Sequence, residues 1–582
     1  MTWAQRIHAL KWVLASEPDL NSVAALATAT KLPANVVKIL INRQIDSAEL
    51  IDRFLNPKMS DLKDSFSMAG MELGIQRVTK ALFENEKVMI YGDYDVDGIT
   101  ATALLYMVLN KLGAQVNFYL PNRLVEGYGL STEGIDEAKA KGVSLIVTVD
   151  TGITAVEEIE YATSQGIDVV VTDHHEPGMS IPKAFAIINP KQPDCDYGGE
   201  LSGVGVAFKF AQALYKRLNQ DERELEEHLD LVALGTSADI VPLVGENRIL
   251  TKFGIRQIAR TTKPGLKSLA FVSGLMGKEI STGQVVFILA PRINALGRLG
   301  DAREAISLLS TRDEKMAAEI ARKLDSENRR RKDIDERTLQ EALAQMHEVT
   351  DLKNDRAIVL AAEGWHQGVI GIVASRLVEK YHLPTVMIAI SETEGKGSAR
   401  SIPGFHLCEA LKECEDLLIK YGGHKYAAGL SIKPEHIPAF RERFREVSAK
   451  FLTPEDIVPK LFIDLEIELS EITGEFMDAI ESFSPFGPQN MRPIFLTRNC
   501  EVVGIPYTVG NNHLKMKVRK GDAVFDVIGF GFGDMAQVIS DRGCLVDIVY
   551  AVEYNTYNDH TQIQIRLKDI KLTVGDMSPR YA

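Results

Sequence analysis

Asp93, Asp95 and Asp97 alternate within residues 91–98, YGDYDVDG, directly after an apolar run from Val88 to Tyr91. Three carboxylates this close repel one another when ionised, so a cation should neutralise them. Oxygen ligands suit hard divalent ions such as Mg²⁺ or Mn²⁺. Gly98 lets the backbone turn closely into a following helix. Three more motifs carry the same chemistry: Asp150 in VTVDTGI, Asp173-His174-His175 in VVVTDHHEP and Asp239 in ALGTSADIVPL. Mixed carboxylate and imidazole ligation favours Mn²⁺ over Mg²⁺. The set exceeds what one Mg²⁺ takes from protein. It points to two ions about 3.5–4 Å apart, the arrangement used for phosphoryl displacement.

The elements that must position these groups follow from hydrophobic rhythm. Short β-branched runs at 88–91, 116–120, 145–149 and 169–172 alternate with helix-like stretches at 99–112, from Ser131-Thr132, and at about 155–165. This implies βαβ units and a mostly parallel sheet. Right-handed crossovers then align all strand C-termini along one edge, where open α/β sheets bind ligands. Taken singly, an Asp after a strand is ordinarily a helix N-cap. Motifs at three successive strand ends are poorly explained by capping.

Residues 201–310 read as mainly helical, and about 312–346 as one long helix without Gly or Pro. Its Arg329-Arg330-Arg331-Lys332 run reads either as a contact for a phosphate backbone or, in preference, as a solvated face. A second α/β module, from about Arg356 to Lys450, holds strands at 357–361 and 385–390. From about Lys460 the pattern changes to strand-like runs that suggest a small antiparallel β-barrel. The expected fold is therefore α/β: a parallel-sheet domain at 61–311 after an N-terminal helical segment at 1–60, then a connecting helix at 312–350. A second α/β domain at 351–452 and a barrel at 453–582 complete it.

Composition sets the limits. With 45% hydrophobic and 25% charged residues over 582 positions, the chain is ordinary globular material for three or four domains. No apolar run is long enough for a transmembrane helix, and the N-terminus lacks the core of a signal peptide. Five cysteines without a CxxC pair argue against a disulfide framework or zinc site and fit a reducing cytoplasm. A net charge of −14 weighs against a nucleic-acid partner, unless the carboxylates hold cations or a basic channel sits on an acidic body.

DYDVDG, VDTGI, DHH and SADIVP resemble the ordered motif set of the DHH phosphoesterase family. LSGVGVAFKFAQAL, PRINALGRLGDA, GWHQGVIGIVASR, GKGSARS and YGGHKYAAG extend the resemblance over nearly the whole chain, to members with a DHHA1 domain. Carried over residue by residue, it implies Asp95, Asp97, Asp150, His174 and Asp239 as ligands of Mn²⁺ or Mg²⁺. Asp173 would be a ligand or a carboxylate behind one, and His175 would lie beside the scissile phosphate to protonate the leaving oxygen. One departure is Tyr91, where many relatives carry a His ligand. The activity implied is 5′-to-3′ exonucleolytic degradation of single-stranded DNA to mononucleotides, in recombination and repair. A single-strand-binding protein and a helicase are implied partners.

In the second module, GSARS and GGH are Gly-rich and read either as structural turns or as backbone nests for anions, with Arg400 as a bidentate phosphate donor. The resemblance implies that Ser398, Arg400 and His424 grip the nucleic acid near its end, with Arg123, Arg298 and Asn294. His366 reads either as a further phosphate contact or as a helix cap only. The barrel resembles an OB-fold. Lys515 and Lys517 lie in one strand, and Tyr507, Phe530 and Phe532 are either stacking faces or core. Two rival readings stay open: a small-molecule or short-oligonucleotide phosphodiesterase of the same family, and a catalytically dead DNA-binding scaffold.

Overall fold

The computed structural model describes residues 10–573, apart from 123–125, 128, 541–543 and 558–559. The chain divides into two compact units: one of residues 57–333 and 484–491, the other of 1–56, 334–483 and 492–582.

In the first unit, five strands form a sheet: β1 (Lys87–Gly92), β2 (Gln115–Tyr119), β3 (Leu145–Val149), β4 (Asp168–Thr172) and β5 (Ala186–Ile188), in the order β2-β1-β3-β4-β5. Every pairing is parallel. β3 is buried at all five positions, as a strand covered on both faces requires. The fifth strand, β5, has too short an apolar run to be legible in the sequence. Between β1 and β2 runs helix α1 (Val96–Lys111), whose side chains are buried along most of its length. Helices α2 (Gly203–Arg217) and α3 (Leu229–Ala238) pack on α1, and α4 (Gly245–Arg260) packs against α3. Helices α5 (Pro264–Val272) and α6 (Ala290–Leu299) follow. The core joins Ile90, Val147 and Val170 of the sheet to Leu104, Leu105, Phe208, Phe210 and Leu231 of the helices.

The long helix α7 (Glu314–Val349) contributes residues to both units. In the second unit, β6 (Ile358–Glu363), helix α8 (Ile370–Tyr381), β7 (Thr385–Ile390), β8 (Gly395–Arg400), β9 (Leu418–Gly423) and β10 (Ala427–Ile432) build a mixed sheet in the order β9-β10-β8-β7-β6. Only β6 and β7 pair in parallel. This corrects one expectation. GSARS and GGH are not nests: Gly397–Arg400 sits in β8, between β7 and β10, and Gly422-Gly423 ends β9. Their backbone groups serve the ladders, which leaves side chains as the anion donors.

The barrel region holds β11 (Leu465–Glu466), β12 (Phe495–Val509), β13 (His513–Lys520), β14 (Ala523–Phe530), β15 (Leu545–Tyr557) and β16 (His560–Leu572). They run in the order β11-β12-β13-β14-β16-β15, and β15 pairs back onto β12 to close a barrel. Most pairings are antiparallel, but β11 with β12 and β14 with β16 pair in parallel. The N-terminal segment is helical at Leu20–Thr30, Ala34–Asn42 and Ala48–Leu55, as expected, but its described part opens on a strand. Lys11–Leu14 is a strand, paired in parallel with Lys460–Ile463. The Trp12 indole N–H donates to Asp569 of the barrel at 2.8 Å, and Lys571 Nζ lies 3.9 Å from the indole centroid. No single helix among the described residues is long and apolar enough to cross a membrane.

Candidate metal centre

Register brings the carboxylates together. Gly92 of β1 pairs with Val149 of β3, and Val149 with Thr172 of β4. The next residues of these adjacent strands are Asp93, Asp150 and Asp173, so three aspartates leave the sheet in one row, with neighbouring strands about 4.8 Å apart. Asp95 caps α1 by accepting from the N–H groups of Asp97 and Gly98, at 2.9 and 3.1 Å. That cap turns Asp97 inward. The Asp97 carboxylate accepts from the first-turn N–H groups of α2, Gly203 at 2.6 Å and Val204 at 2.9 Å. Asp239 closes the C-terminal end of α3. Asp150 holds φ of +61°, a strained value for a residue with a side chain.

The outcome is three interlocking trios: Asp93, Asp95 and Asp150; Asp97, His174 and Asp239; Asp150, His174 and His175. In each, candidate ligand atoms lie within 4.8 Å of one another. His174 Nε2 points at the centre, 3.0 Å from Asp150 Oδ1, 3.5 Å from Asp239 Oδ2 and 3.9 Å from Asp97 Oδ2. This Nε2 atom is buried and makes no hydrogen bond among the described residues.

Electrostatics repeats the message. Burial, then the neighbouring Asp239 and Asp95, holds the Asp97 carboxyl well above the ordinary carboxylate range. Burial, then Asp97 and Asp95, does the same to Asp150, and burial with Asp95 pushes Asp239 up to about 7. Burial and the adjacent His175 push His174 down to about 3, so it is a neutral imidazole, the form that ligates metal. A centre of buried carboxylates facing an imidazole lone pair is unfavourable until a cation enters. The donor set of oxygens with one or two nitrogens fits Mn²⁺ or Mg²⁺.

Asp173 stands behind this centre. Its oxygens accept from Ile153 N at 2.9 Å, His174 N at 2.7 Å, His175 N at 3.1 Å and His175 Nδ1 at 2.8 Å. Burial opposes its ionisation, but the His175 ring and these N–H groups hold its pKa below the usual value. Burial would depress His175, yet the Asp173 partner lifts it to about 9. Of the two roles open to Asp173, the geometry fits the carboxylate that orients a histidine, since it belongs to none of the trios.

Tyr91 belongs to none of the three trios. Buried beneath Tyr119, its hydroxyl accepts from Ser131 N at 3.1 Å and lies 3.2 Å from Ser131 Oγ. Burial raises its pKa. Two contacts escaped the sequence reading. A Cβ on Gly203 would lie 2.5 Å from Asp150 Oδ1, and one on Gly297 of α6 would lie 2.6 Å from the Tyr94 carbonyl oxygen. LSGVGV and NALGRL carried the signal as glycines inside helical stretches. Gly297 seats α6, with half-buried Asn294 and Arg298, against the GDYDVDG loop. Arg123 lies outside the described residues.

In the second unit, Arg400 Nη1 donates to Ser398 Oγ at 3.1 Å. A Cβ on Gly371, in the first turn of α8, would meet Ser398 Oγ at 2.8 Å and Arg400 Nη2 at 2.9 Å. Both side chains thus lie against the positive end of a helix. His424 is exposed, and its backbone N–H donates at 2.8 Å to the carbonyl of Ala427, the residue opposite Arg400 in the sheet. His366 Nδ1 accepts from Gly368 N at 3.0 Å at the approach to α8. On the barrel, Lys515 and Lys517 share a face of β13, and Lys517 lies 3.7 Å from Asp526. Tyr507 and Phe530 are exposed, whereas Phe532 is core.

The sheet, its row of strand-end aspartates and the Asp173-His174-His175 triplet define a DHH-type phosphoesterase domain. The family model for the DHH family, N-terminal domain, matches residues 87–236, that for the DHHA1 domain 354–450, and that for the RecJ OB domain 463–569. The chain is 41% identical over 564 residues to the single-stranded-DNA-specific exonuclease RecJ of Bacillus subtilis (strain 168), covering 96% of this chain and 70% of that protein. It is 35% identical over 561 residues to RecJ of Salmonella typhimurium, covering 93% and 96%. The crystal structure of RecJ in complex with Mn²⁺ from Thermus thermophilus superposes with a TM-score of 0.84 at 30% identity, over 97% of this chain and 79% of that one. The chain belongs to the RecJ family.

Proposed function

We infer that this chain is a divalent-metal-dependent exonuclease that hydrolyses phosphodiester bonds of single-stranded DNA. The observation that carries the reading is the convergence of Asp97, Asp150, His174 and Asp239 on one point at the strand C-termini, in a chain whose relatives are single-stranded-DNA-specific exonucleases. Mn²⁺ or Mg²⁺ is the cofactor, held by Asp93, Asp95, Asp97, Asp150, His174 and Asp239. When bound, such ions polarise a phosphate oxygen and activate water as nucleophile.

The protein's own residues do the rest. The α2 N–H groups hold both oxygens of Asp97 and fix its direction. Asp173 engages Nδ1 of His175, so Nε2 is the nitrogen that acts toward the substrate. We assign it the proton that the leaving oxygen requires. Ser398, Arg400 and His424 bind phosphate in the DHHA1 domain, and Arg298, Asn294, Lys515 and Lys517 hold the strand elsewhere. Polarity from 5′ to 3′, mononucleotide products, a role in recombination and repair, a cytoplasmic location, and partnership with a single-strand-binding protein and a helicase belong to the same proposal. The RecJ OB domain match disfavours the small-molecule alternative, which needs no barrel.

Digestion of end-labelled oligodeoxynucleotides with Mn²⁺ tests it. Wild type should release mononucleotides from single strands, and Asp97→Ala should not. Undiminished release by Asp97→Ala would refute the site, and no release by wild type would refute the activity.

A further inference from the structure

Helix α4 carries cations at every fourth residue: Arg248, Lys252, Arg256 and Arg260. With a rise of 1.5 Å per residue, the stripe presents one charge about every 6 Å along a line of roughly 18 Å. Its one carboxylate, Glu246, is turned inward, where Glu246 accepts from Lys209 Nζ at 3.1 Å and Lys63 N at 3.0 Å. Arg248 is buried, Lys252 is half-buried, and Arg256 and Arg260 are exposed. Lys252 thus has an arginine one turn to either side. Burial and these two like charges depress its ammonium to about 8. Among the described residues, neither Arg256 nor Arg260 has a carboxylate partner.

The stripe has a direction and an end. Asp239 sits at the C-terminal end of α3, and α4 begins shortly afterwards at Gly245. Thr261, just beyond α4, donates to Asp230 in the first turn of α3 at 2.7 Å. The two helices therefore run antiparallel, and the stripe leads from the Asp239 end towards the opposite end of α3. There it meets a cavity of about 260 Å³ rimmed by Arg260, Lys267 and Lys278, with Leu275, Met276 and Ile280 among its apolar walls. None of the residues lining it is acidic, and Glu279, beside Lys278 in sequence, does not line it.

We propose that Lys252, Arg256 and Arg260, with Lys267 and Lys278 around the cavity, form a phosphate track that binds the single strand away from the metal centre. The proposal rests on the reading of the substrate as single-stranded DNA. Cations in line suit successive phosphates, and an apolar pocket rimmed by cations suits a base with its phosphate. An acidic peptide would meet the same cations, but it does not require their regular spacing.

The test is fluorescence anisotropy with labelled oligothymidylates of 5 and 30 nucleotides, in chelator to prevent cleavage and over a range of salt. For Lys252→Gln/Arg256→Gln/Arg260→Gln, the Kd for the 30-mer should rise at least tenfold at low salt. The slope of log K against log salt should shrink by about 2, at roughly 0.7 per lost phosphate contact. Binding of the 5-mer and calorimetric Mn²⁺ affinity should stay at wild-type values. Lys267→Gln/Lys278→Gln, outside α4, should weaken the 30-mer by a smaller factor, which guards against a folding artefact. An unchanged Kd and slope for the 30-mer would overturn the track, as would equal losses for both lengths. Displacement of the 30-mer by equimolar thymidine 5′-monophosphate would assign the cavity to a released nucleotide and overturn it too. A wild-type chain that bound neither oligonucleotide would bring down the substrate reading as well.

Discussion

A methyl group on Gly203 would stand 2.5 Å from Oδ1 of Asp150, while the N–H of Gly203 donates to Asp97 at 2.6 Å. One backbone position thus sets the placement of two carboxylates from different strand ends. Gly203→Ala should push Asp150 out of its position. We expect Mn²⁺ affinity to fall about 10- to 100-fold, the range seen when groups supporting metal ligands are lost. Calorimetry reads the affinity, and circular dichroism should show an intact fold.

Asp150 is a centre of electrostatic strain. It is buried, close to Asp97, Asp95 and Asp239, and in left-handed backbone conformation. Asp150→Asn removes a charge, and Asn tolerates that backbone. The metal-free variant should be more stable than wild type by about 1–2 kcal/mol, following the common trade between stability and function. Mn²⁺ should raise the melting temperature of wild type but not of the variant. An equal Mn²⁺-induced shift in both would remove Asp150 from the ligand set.

His228 is buried at the start of α3. Burial, then Lys263 and Lys111, depresses its pKa from the ordinary 6.5 to about 3. The folded chain therefore binds fewer protons than the unfolded one between these values. The stability from neutral His228 is complete above about pH 6.5 and is lost as pH falls towards 3, with a slope of up to about 1.4 kcal/mol per pH unit. Denaturant titrations at pH 7.5 and 5 should show wild type losing stability more steeply than His228→Gln.

Trp12 ties the N-terminal strand to the barrel through Asp569 and Lys571. Trp12→Ala should cost about 2–4 kcal/mol by loss of packing, the hydrogen bond and the cation–π contact. Chemical denaturation measures the cost. Mn²⁺ affinity should be unaffected, because the metal centre belongs to the other compact unit.

The sequence by itself determined the βα rhythm, and with it the side of the sheet on which Asp93, Asp150 and Asp173 emerge. Local hydrophobic period and strand-end position suffice for that, since parallel strands joined by right-handed crossovers share one C-terminal edge. It also determined the long helix, the second α/β module and the barrel. Only the tertiary structure decided what depends on partners distant in sequence. Gly397–Arg400 and Lys11–Leu14 are strands because other strands pair with them, and no local pattern reveals those partners. Asp173 turns to His175 rather than to the centre because Ile153 and the two histidine N–H groups surround it. Gly203, Gly297 and the direction of the α4 stripe acquired meaning only when helices far apart in the chain were packed side by side, since closeness in space is a property of packing and not of sequence order.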